Sequence, residues 1–464
     1  MEKATITRID RALIDRLLAD ASTTREVAVE RGALATAGQR IARRFPQQPA
    51  VIVADERTWE IAGKAVSASL QSAGHPLAEP IILPGTPELR PTYTRVEEVR
   101  DLLAAPSSGS RPVPVAVGSG TINDLTKRAS DELGLPYAVV ATAASMDGYT
   151  ASGASLVHDG VKQTFPCTAP VMVIADLDIV CAAPAAMTAS GYGDLIGKIT
   201  AGADWLLADA LGIEPLIPAV WAMVQGPLRG VIAQPERLVA GDADAIEQIF
   251  LGLVTTGLAI QVAGSTRPAS GSEHQFSHVW EMRGLEYEGT FVSHGFKVGL
   301  GTIVATAFFD ELIQHEDLAH LDIERAVAAY PTLEEMERAV HRSHSHPLVA
   351  AKAMEECRAK HVSSEELRER LTALRARWPE LVPRLQDQLL PIHEVRDLLA
   401  ATGCPTTPEE IGLNREQLRE SYRAAQQIRR RYTVFDLGLE IGRFDAIVDE
   451  LFAPGGYWGT GHPS

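Results

Sequence analysis

Four residues are of types that bind metals or move protons, and three short segments carry them. Asp194 lies in Ser190-Gly191-Tyr192-Gly193-Asp194-Leu195-Ile196-Gly197-Lys198, His274 and His278 lie in Ser272-Glu273-His274-Gln275-Phe276-Ser277-His278, and His294 opens a helix in Ser293-His294-Gly295-Phe296-Lys297-Val298-Gly299-Leu300-Gly301. His274 and His278 are four apart, so a helix presents both on one face. One carboxylate with two imidazoles is a catalytic metal set that leaves coordination positions open for substrate or water. A cation held that way polarises an alcohol or carbonyl oxygen. Each residue also has a structural reading. Asp194 follows a Gly-rich turn and suits the N-cap of a helix starting there, and any one His serves equally as a satisfied buried or surface group. Five of the 13 histidines (His274, His278, His294, His315 and His320) fall in one stretch, and that grouping favours a shared site.

A second candidate is the stretch VPVAVGSGTINDLTK, residues 113–127. An apolar strand, Val113–Val117, runs into Gly118-Ser119-Gly120-Thr121, and a helix pattern begins at Ile122. Glycines let the backbone approach a ligand, and the first N–H groups of the helix face an anion with the helix dipole behind them. An ordinary strand-to-helix turn has the same composition. The segment Ala141–Thr150 (ATAASMDGYT) follows the next strand, and its hydroxyls and carboxylate suit a nicotinamide ribose or a polyol as well as a capped loop.

The elements that must position these residues change character along the chain. In the first half, strands at 49–54 (PAVIVA), 80–83, 113–117 and 137–141 alternate with helices at 57–73, 96–105 and 122–133, and 106–112 reads as a loop. This alternation predicts a mostly parallel sheet covered by helices, with ligands at the carboxyl ends of the strands, where Asp55 and Gly118–Thr121 stand. The segment 164–180 reads as a hairpin or strand pair. Beyond it helical patterns dominate: 194–211, 243–262, 299–313, 323–329, 333–341 and most of 363–451. The expectation is a Rossmann-like α/β domain over 1–185 and an all-helical domain over 186–464. The amphipathic C-terminal helices offer a dimer face, and a homo-oligomer is expected.

Composition narrows the classes further. The 464 residues carry 43 Lys and Arg against 60 Asp and Glu, a formal charge of −17. An acidic chain without a basic block argues against nucleic acid or an anionic membrane as partner. The four cysteines, Cys167, Cys181, Cys357 and Cys404, are widely spaced and form neither a disulfide framework nor a zinc knuckle, which fits a reducing cytoplasm. The charged N-terminus lacks the apolar core of a signal peptide. No stretch reads as a run of about 18 uncharged apolar residues, the length of a membrane span.

Six ordered segments, VIVADERTWEIAG (51–63), GSGTINDLTK (118–127), ATAASMDGYTASGASL (141–156), SGYGDLIGK (190–198), SEHQFSH (272–278) and SHGFKVGLGT (293–302), resemble the iron-containing alcohol dehydrogenase and dehydroquinate synthase superfamily. Within it they resemble the sn-glycerol-1-phosphate dehydrogenases of the bacterial AraM-like branch, across residues 30–310. The resemblance implies a dehydroquinate synthase-like fold and reversible reduction of dihydroxyacetone phosphate by NAD(P)H. Gly118, Ser119, Gly120, Thr121 and Ile122 would cradle the pyrophosphate. Asp55 would take the adenosine ribose, favouring NAD over NADP, and Thr142 and Ser145 would line the nicotinamide. Asp194, His274 and His294 would hold one divalent metal, zinc or nickel. Asp147, Asp194 and His278 would contact substrate, with Asp194 and His278 catalytic and His278 as proton relay. The family often has Ser four residues after the Asp of its MDG motif; here that position is Ala151, with Ser152 beside it.

Three alternatives remain on the residues alone. A glycerol or polyol dehydrogenase would need no phosphate. A dehydroquinate synthase-like cyclase would return NAD oxidised, but the helical half lacks the Lys- and Arg-rich signature expected for its substrate. A non-catalytic nucleotide-binding protein has no use for an intact Asp/His/His set.

Overall fold

The computed structural model describes residues 8–86, 88–104 and 111–459; most of the loop expected over 106–112 lies outside them, as does the very N-terminus. Eight strands precede the helical half: β1 Glu26–Glu30, β2 Ala50–Asp55, β3 Ile81–Leu83, β4 Val113–Gly118, β5 Ala138–Ala141, β6 Gly153–His158, β7 Val161–Pro166 and β8 Met172–Asp176. Six of them form one parallel sheet in the order β1-β8-β5-β4-β2-β3. Every residue of β4, β5 and β8 is buried, as expected for parallel strands covered on both faces, which read as unbroken Val/Ile/Ala runs. Ile52, Val115, Val140 and Ile174 pack there with Ala37 and Ile41 from one flanking helix and Val66 and Leu70 from another.

β1 and the strands between 153 and 176 differ from the sequence expectation. Glu26–Glu30 (EVAVE) is an edge strand whose alternating charges mask the apolar signal; Arg40 pairs with both glutamates, at 2.7 Å to Glu26 and 2.5 Å to Glu30, and charges of this kind blunt an open edge. The stretch 164–180 is not one hairpin. The hairpin is β6–β7, turned by Asp159 and Gly160 at positive φ, and β8 enters the parallel sheet between β1 and β5. Periodicity cannot separate these cases, because a short apolar run is equally a hairpin arm or a buried parallel strand.

The connections reverse direction at β2: β3 lies on one side of it and β4 on the other. This switch point opens a crevice at the carboxyl ends of β2 and β4, which are Asp55 and Gly118.

The chain divides into two compact units, residues 1–195 with 222–266 and residues 196–221 with 267–464. The helix Ala243–Ala263, which sequence reading grouped with the helical half, thus belongs to the first unit. It is long and apolar enough to cross a membrane (mean hydropathy 1.5), yet 83% of that stretch is buried, and it packs on the turn after β5, where Thr150 Oγ1 donates to Val254 O at 2.7 Å and Gln261 Nε2 donates to Thr150 O at 2.6 Å. It is a core helix of its unit. The second unit is helical apart from the two-residue strands β9 Glu286–Tyr287 and β10 Thr290–Phe291.

Asp194 does not start a helix. It lies in the last turn of the helix Ala185–Ile196, and Gly191 and Gly193 are inside that helix. Glycine in a helix costs about 1 kcal/mol against alanine, so sequence alone reads SGYG as a turn. The structure supplies the reason for Gly191: a Cβ there would stand 2.0 Å from Ala144 O. The helix can lie against the strand-end loop only because that side chain is missing. We expect Gly191→Ala to overpack this contact and destabilise the fold by about 1–3 kcal/mol, read as a lower urea midpoint.

Candidate active site

In the first unit the turn after β4 runs directly from Gly118 into a helix that starts at Gly120. Ser119 precedes the helix Gly120–Glu132 but does not cap it with its side chain. Its hydroxyl instead shares a hydrogen bond with Ser145 Oγ at 2.6 Å. The N–H groups of Gly120, Thr121 and Ile122 have no intrahelical acceptor, and they point along the positive end of the helix dipole. Thr142 N donates to Gly118 O at 3.2 Å, which joins this turn to the loop after β5.

That loop has no ladder of its own and borrows its hydrogen bonds. Lys127, fully buried on the helix Gly120–Glu132, donates from Nζ to Gly148 O at 2.7 Å and to Gly153 O at 2.8 Å. Burial pushes its pKa down and that of neighbouring Asp124 up, and Asp124 also accepts from Ser155 N at 2.9 Å. Tyr149 OH donates to Ala143 O. Asp147 N donates to Asp194 Oδ2 at 2.8 Å. The loop therefore sets Thr142, Ser145, Asp147 and Asp194 in one constellation with the glycine turn. Asn123, Asp124 and Lys127, inside the motif GSGTINDLTK, scaffold the loop. Asp55 is held differently. Its Oδ1 accepts from Thr58 N at 2.7 Å in a reciprocal cap, at the carboxyl end of β2.

In the second unit, His274 and His278 do share a face of the helix Ser272–Met282, and His294 opens the helix His294–His315. The two helices lie against each other through Gly301, where a Cβ would meet Glu273 O at 2.5 Å. The ring centroids of His274 and His294 are 5.4 Å apart, and those of His274 and His278 6.1 Å. Carboxylates hold the first pair. His274 Nδ1 bonds Glu273 Oε1 at 2.7 Å, and His294 Nδ1 bonds Glu281 Oε1 at 2.9 Å. Glu273 is fully buried, and its other oxygen accepts from Thr200 Oγ1 at 2.7 Å. Burial would push its carboxyl up, but the bonds from His274, Thr200 and Gly271 outweigh that and hold it below the usual range. An imidazole whose Nδ1–H is held by a carboxylate offers Nε2 as the ligand atom and gains basicity, the usual arrangement behind metal-binding histidines. The donor chemistry of this pair fits a divalent cation.

His278 is held in the opposite sense. Arg429 Nε donates to its Nδ1 at 3.2 Å, which puts the ring proton on Nε2. Burial first, and the Arg429 guanidinium second, hold its pKa well below the ordinary value, so it stays neutral. His315 and His320 are not part of this group. His315 ends a 22-residue helix that His294 begins, roughly 30 Å away at 1.5 Å per residue, and His320 is exposed on Asp317.

The face of the helix Ser272–Met282 opposite the histidines is anchored by C-terminal helices that sequence reading left without a role. Phe276 packs edge-on against Tyr422 at 5.0 Å and Phe435 at 5.4 Å, and Phe308 packs against Phe435 at 5.0 Å. Asp204 ties two helix starts together, accepting from Ser272 N at 2.6 Å and Val434 N at 2.7 Å. Helical periodicity shows that these aromatics are core but not which helix they face.

Two outcomes follow. Lys127→Met leaves two buried carbonyls and Asp124 without their cation; it should destabilise the protein by about 3–5 kcal/mol, seen as a drop in Tm. Glu281→Gln weakens its hold on His294 and should reduce divalent-metal affinity 10–100-fold, about the cost of losing such a supporting carboxylate, measured by competition with a chelator.

The family model for iron-containing alcohol dehydrogenases matches residues 28–184. Glycerol-1-phosphate dehydrogenase (NAD(P)+) from Halalkalibacterium halodurans is 38% identical over 258 residues, 56% of this chain and 64% of that protein. The protein of the same name from Bacillus subtilis is 36% identical over 63% of this chain and 74% of its own length, and that from Methanosarcina mazei 34% identical over 60% and 75%. The chain spans just under two thirds of the length of the relatives from H. halodurans and Bacillus licheniformis, at 64% and 65%. Among solved structures, a glycerol dehydrogenase from Schizosaccharomyces pombe is similar with a TM-score of 0.59 at 15% identity, covering 92% of this chain and 91% of that one, a likeness of fold alone. With the sheet and the histidine pair described above, these likenesses show that the chain belongs to the glycerol-1-phosphate dehydrogenase family of iron-containing alcohol dehydrogenases.

Proposed function

We propose that the protein interconverts dihydroxyacetone phosphate and sn-glycerol 1-phosphate with NAD(P)H and NAD(P)+. The observation that carries this reading is the pair of imidazoles 5.4 Å apart, each with its Nδ1 bound to a buried carboxylate. The relatives' name, glycerol-1-phosphate dehydrogenase, supports the substrate. Asp194, His274 and His294 are the proposed ligands of one divalent cation, zinc or nickel. Asp194 is fully buried, and it stands two residues before the chain enters the second unit at Ile196. Bound there, the cation supplies Lewis-acid stabilisation of the charge that develops on the carbonyl oxygen.

The residues of the chain do the rest. The N–H groups of Gly120, Thr121 and Ile122 receive the dinucleotide pyrophosphate, with Gly118 and Ser119 shaping the turn. Asp55, at the end of β2, takes the adenosine ribose hydroxyls and favours NAD. Thr142 and Ser145 flank the nicotinamide. When bound, NAD(P)H would supply the hydride for the carbonyl carbon, and solvent the proton for its oxygen. Asp147 and Asp194 contact the substrate. His278 also contacts it, and the hydrogen bond from Arg429 modifies its expected role: with Nδ1 occupied as an acceptor, His278 gives the substrate a hydrogen bond from Nε2–H and remains neutral instead of carrying a relayed proton.

The test is NADH absorbance with metal-stripped protein resupplied with zinc or nickel, using dihydroxyacetone phosphate and, in parallel, dihydroxyacetone. The expected result is metal-dependent NADH oxidation with the phosphate ester and much slower turnover of the free ketone. Equal or faster turnover without the phosphate reassigns the protein to polyol oxidation. No oxidation with either ketone overturns the dehydrogenase reading.

A further inference from the structure

The sequence Ile428-Arg429-Arg430-Arg431-Tyr432 places three guanidinium groups in a turn between the helices Arg415–Gln427 and Val434–Glu440. Two of them have clear structural work. Arg430 is paired with Glu356 at 2.8 Å and with Glu355 at 3.1 Å. Arg431 donates to Ser270 O at 2.7 Å, just ahead of the histidine-bearing helix. Arg429 is different. It is half-buried, its Nε reaches His278, and among the described residues no carboxylate lies within ion-pair distance of it. The acids nearest to it electrostatically are Glu356 and Glu281. Both are engaged elsewhere, Glu356 with Arg430 and Lys352, and Glu281 with His294 and Lys297. Burial accordingly pushes the Arg429 pKa down.

A guanidinium withdrawn from water without an anion is costly, and one hydrogen bond to a neutral imidazole does not offset that. Its remaining donors form a planar fork suited to two oxygens of a phosphate. The position also fits. Arg429 touches His278, one helical turn from His274, and in a phosphorylated ketone the phosphate is separated from the reacting carbonyl only by a CH2–O arm. We propose that Arg429 binds the phosphate of the substrate and so sets the preference for phosphate esters over free polyols. This rests on the proposed function and names a residue for its specificity.

The experiment compares the full-length, metal-loaded protein with Arg429→Met and Arg429→Lys. With NAD saturating, so that the glycine turn is occupied, inorganic phosphate should raise the Tm of the unmodified protein. It should leave Arg429→Met unmoved and act partly on Arg429→Lys, which keeps a charge but not the fork. In kinetics, the ratio of kcat/KM on dihydroxyacetone phosphate to that on dihydroxyacetone should fall at least about tenfold in Arg429→Met. An unchanged ratio, or equal phosphate stabilisation of the unmodified protein and Arg429→Met, overturns the inference. If the unmodified protein turns over neither ketone, the proposed function fails, and the phosphate-stabilisation comparison still decides the role of Arg429. If Arg429→Met does not fold, Arg429→Lys provides the same two readouts.

Discussion

An imidazole has two nitrogens, and the chemistry of the second unit depends on which of them is held. Glu273 and Glu281 take the Nδ1 atoms of His274 and His294, while Arg429 donates to the Nδ1 of His278. The same side chain is thereby given two characters on neighbouring helices. Two rings are turned to present Nε2, and the third is kept neutral with its proton on Nε2. Much of the unit is arranged to keep these contacts dry and fixed. Glu273 is buried with a hydroxyl on its other oxygen, Gly301 brings the two helices within reach, and Asp204 holds the first turn of the helix that carries two of the three rings.

The first unit meets a related problem with other means. Its sheet places glycine turn and loop side by side at the carboxyl ends of β4 and β5, but a loop beyond the strand ends has no ladder to define it. A buried cation, Lys127, grips two loop carbonyls, and the long apolar helix Ala243–Ala263 supplies the acceptor for Thr150 and the donor for its carbonyl. Burying the ammonium is expensive; its hydrogen bonds to Gly148 O and Gly153 O, together with the Asp124 carboxylate 3.6 Å away, compensate it. The return is a loop of fixed shape carrying Thr142, Ser145 and Asp147.

The C-terminal helices are as much part of the site as the motif-bearing segments. Tyr422 and Phe435 form the surface on which Phe276 rests, and the turn between their helices delivers Arg429. Amphipathic helices look alike in sequence whatever they support, so a solvated-bundle reading of residues 363–451 is compatible with the pattern and misses what the helices do.

The amino-acid sequence by itself determined the local items. The strand ends at Asp55 and Gly118, the helical face shared by His274 and His278, and the helix start at His294 follow from apolar runs, period and turn residues over a few positions. Six ordered segments were enough to indicate the family. Tertiary structure decided the rest. It showed that Asp194 is inside a helix, because the close approach of Ala144 to Gly191 is a distant contact that no local propensity encodes. It placed β8 within the parallel sheet and gave the helix Ala243–Ala263 to the first unit, since pairing partners and burial are properties of the assembled chain. It also set the ring orientations of the three histidines, because the carboxylates and the guanidinium that hold them lie as much as 151 positions away in sequence and meet only on folding.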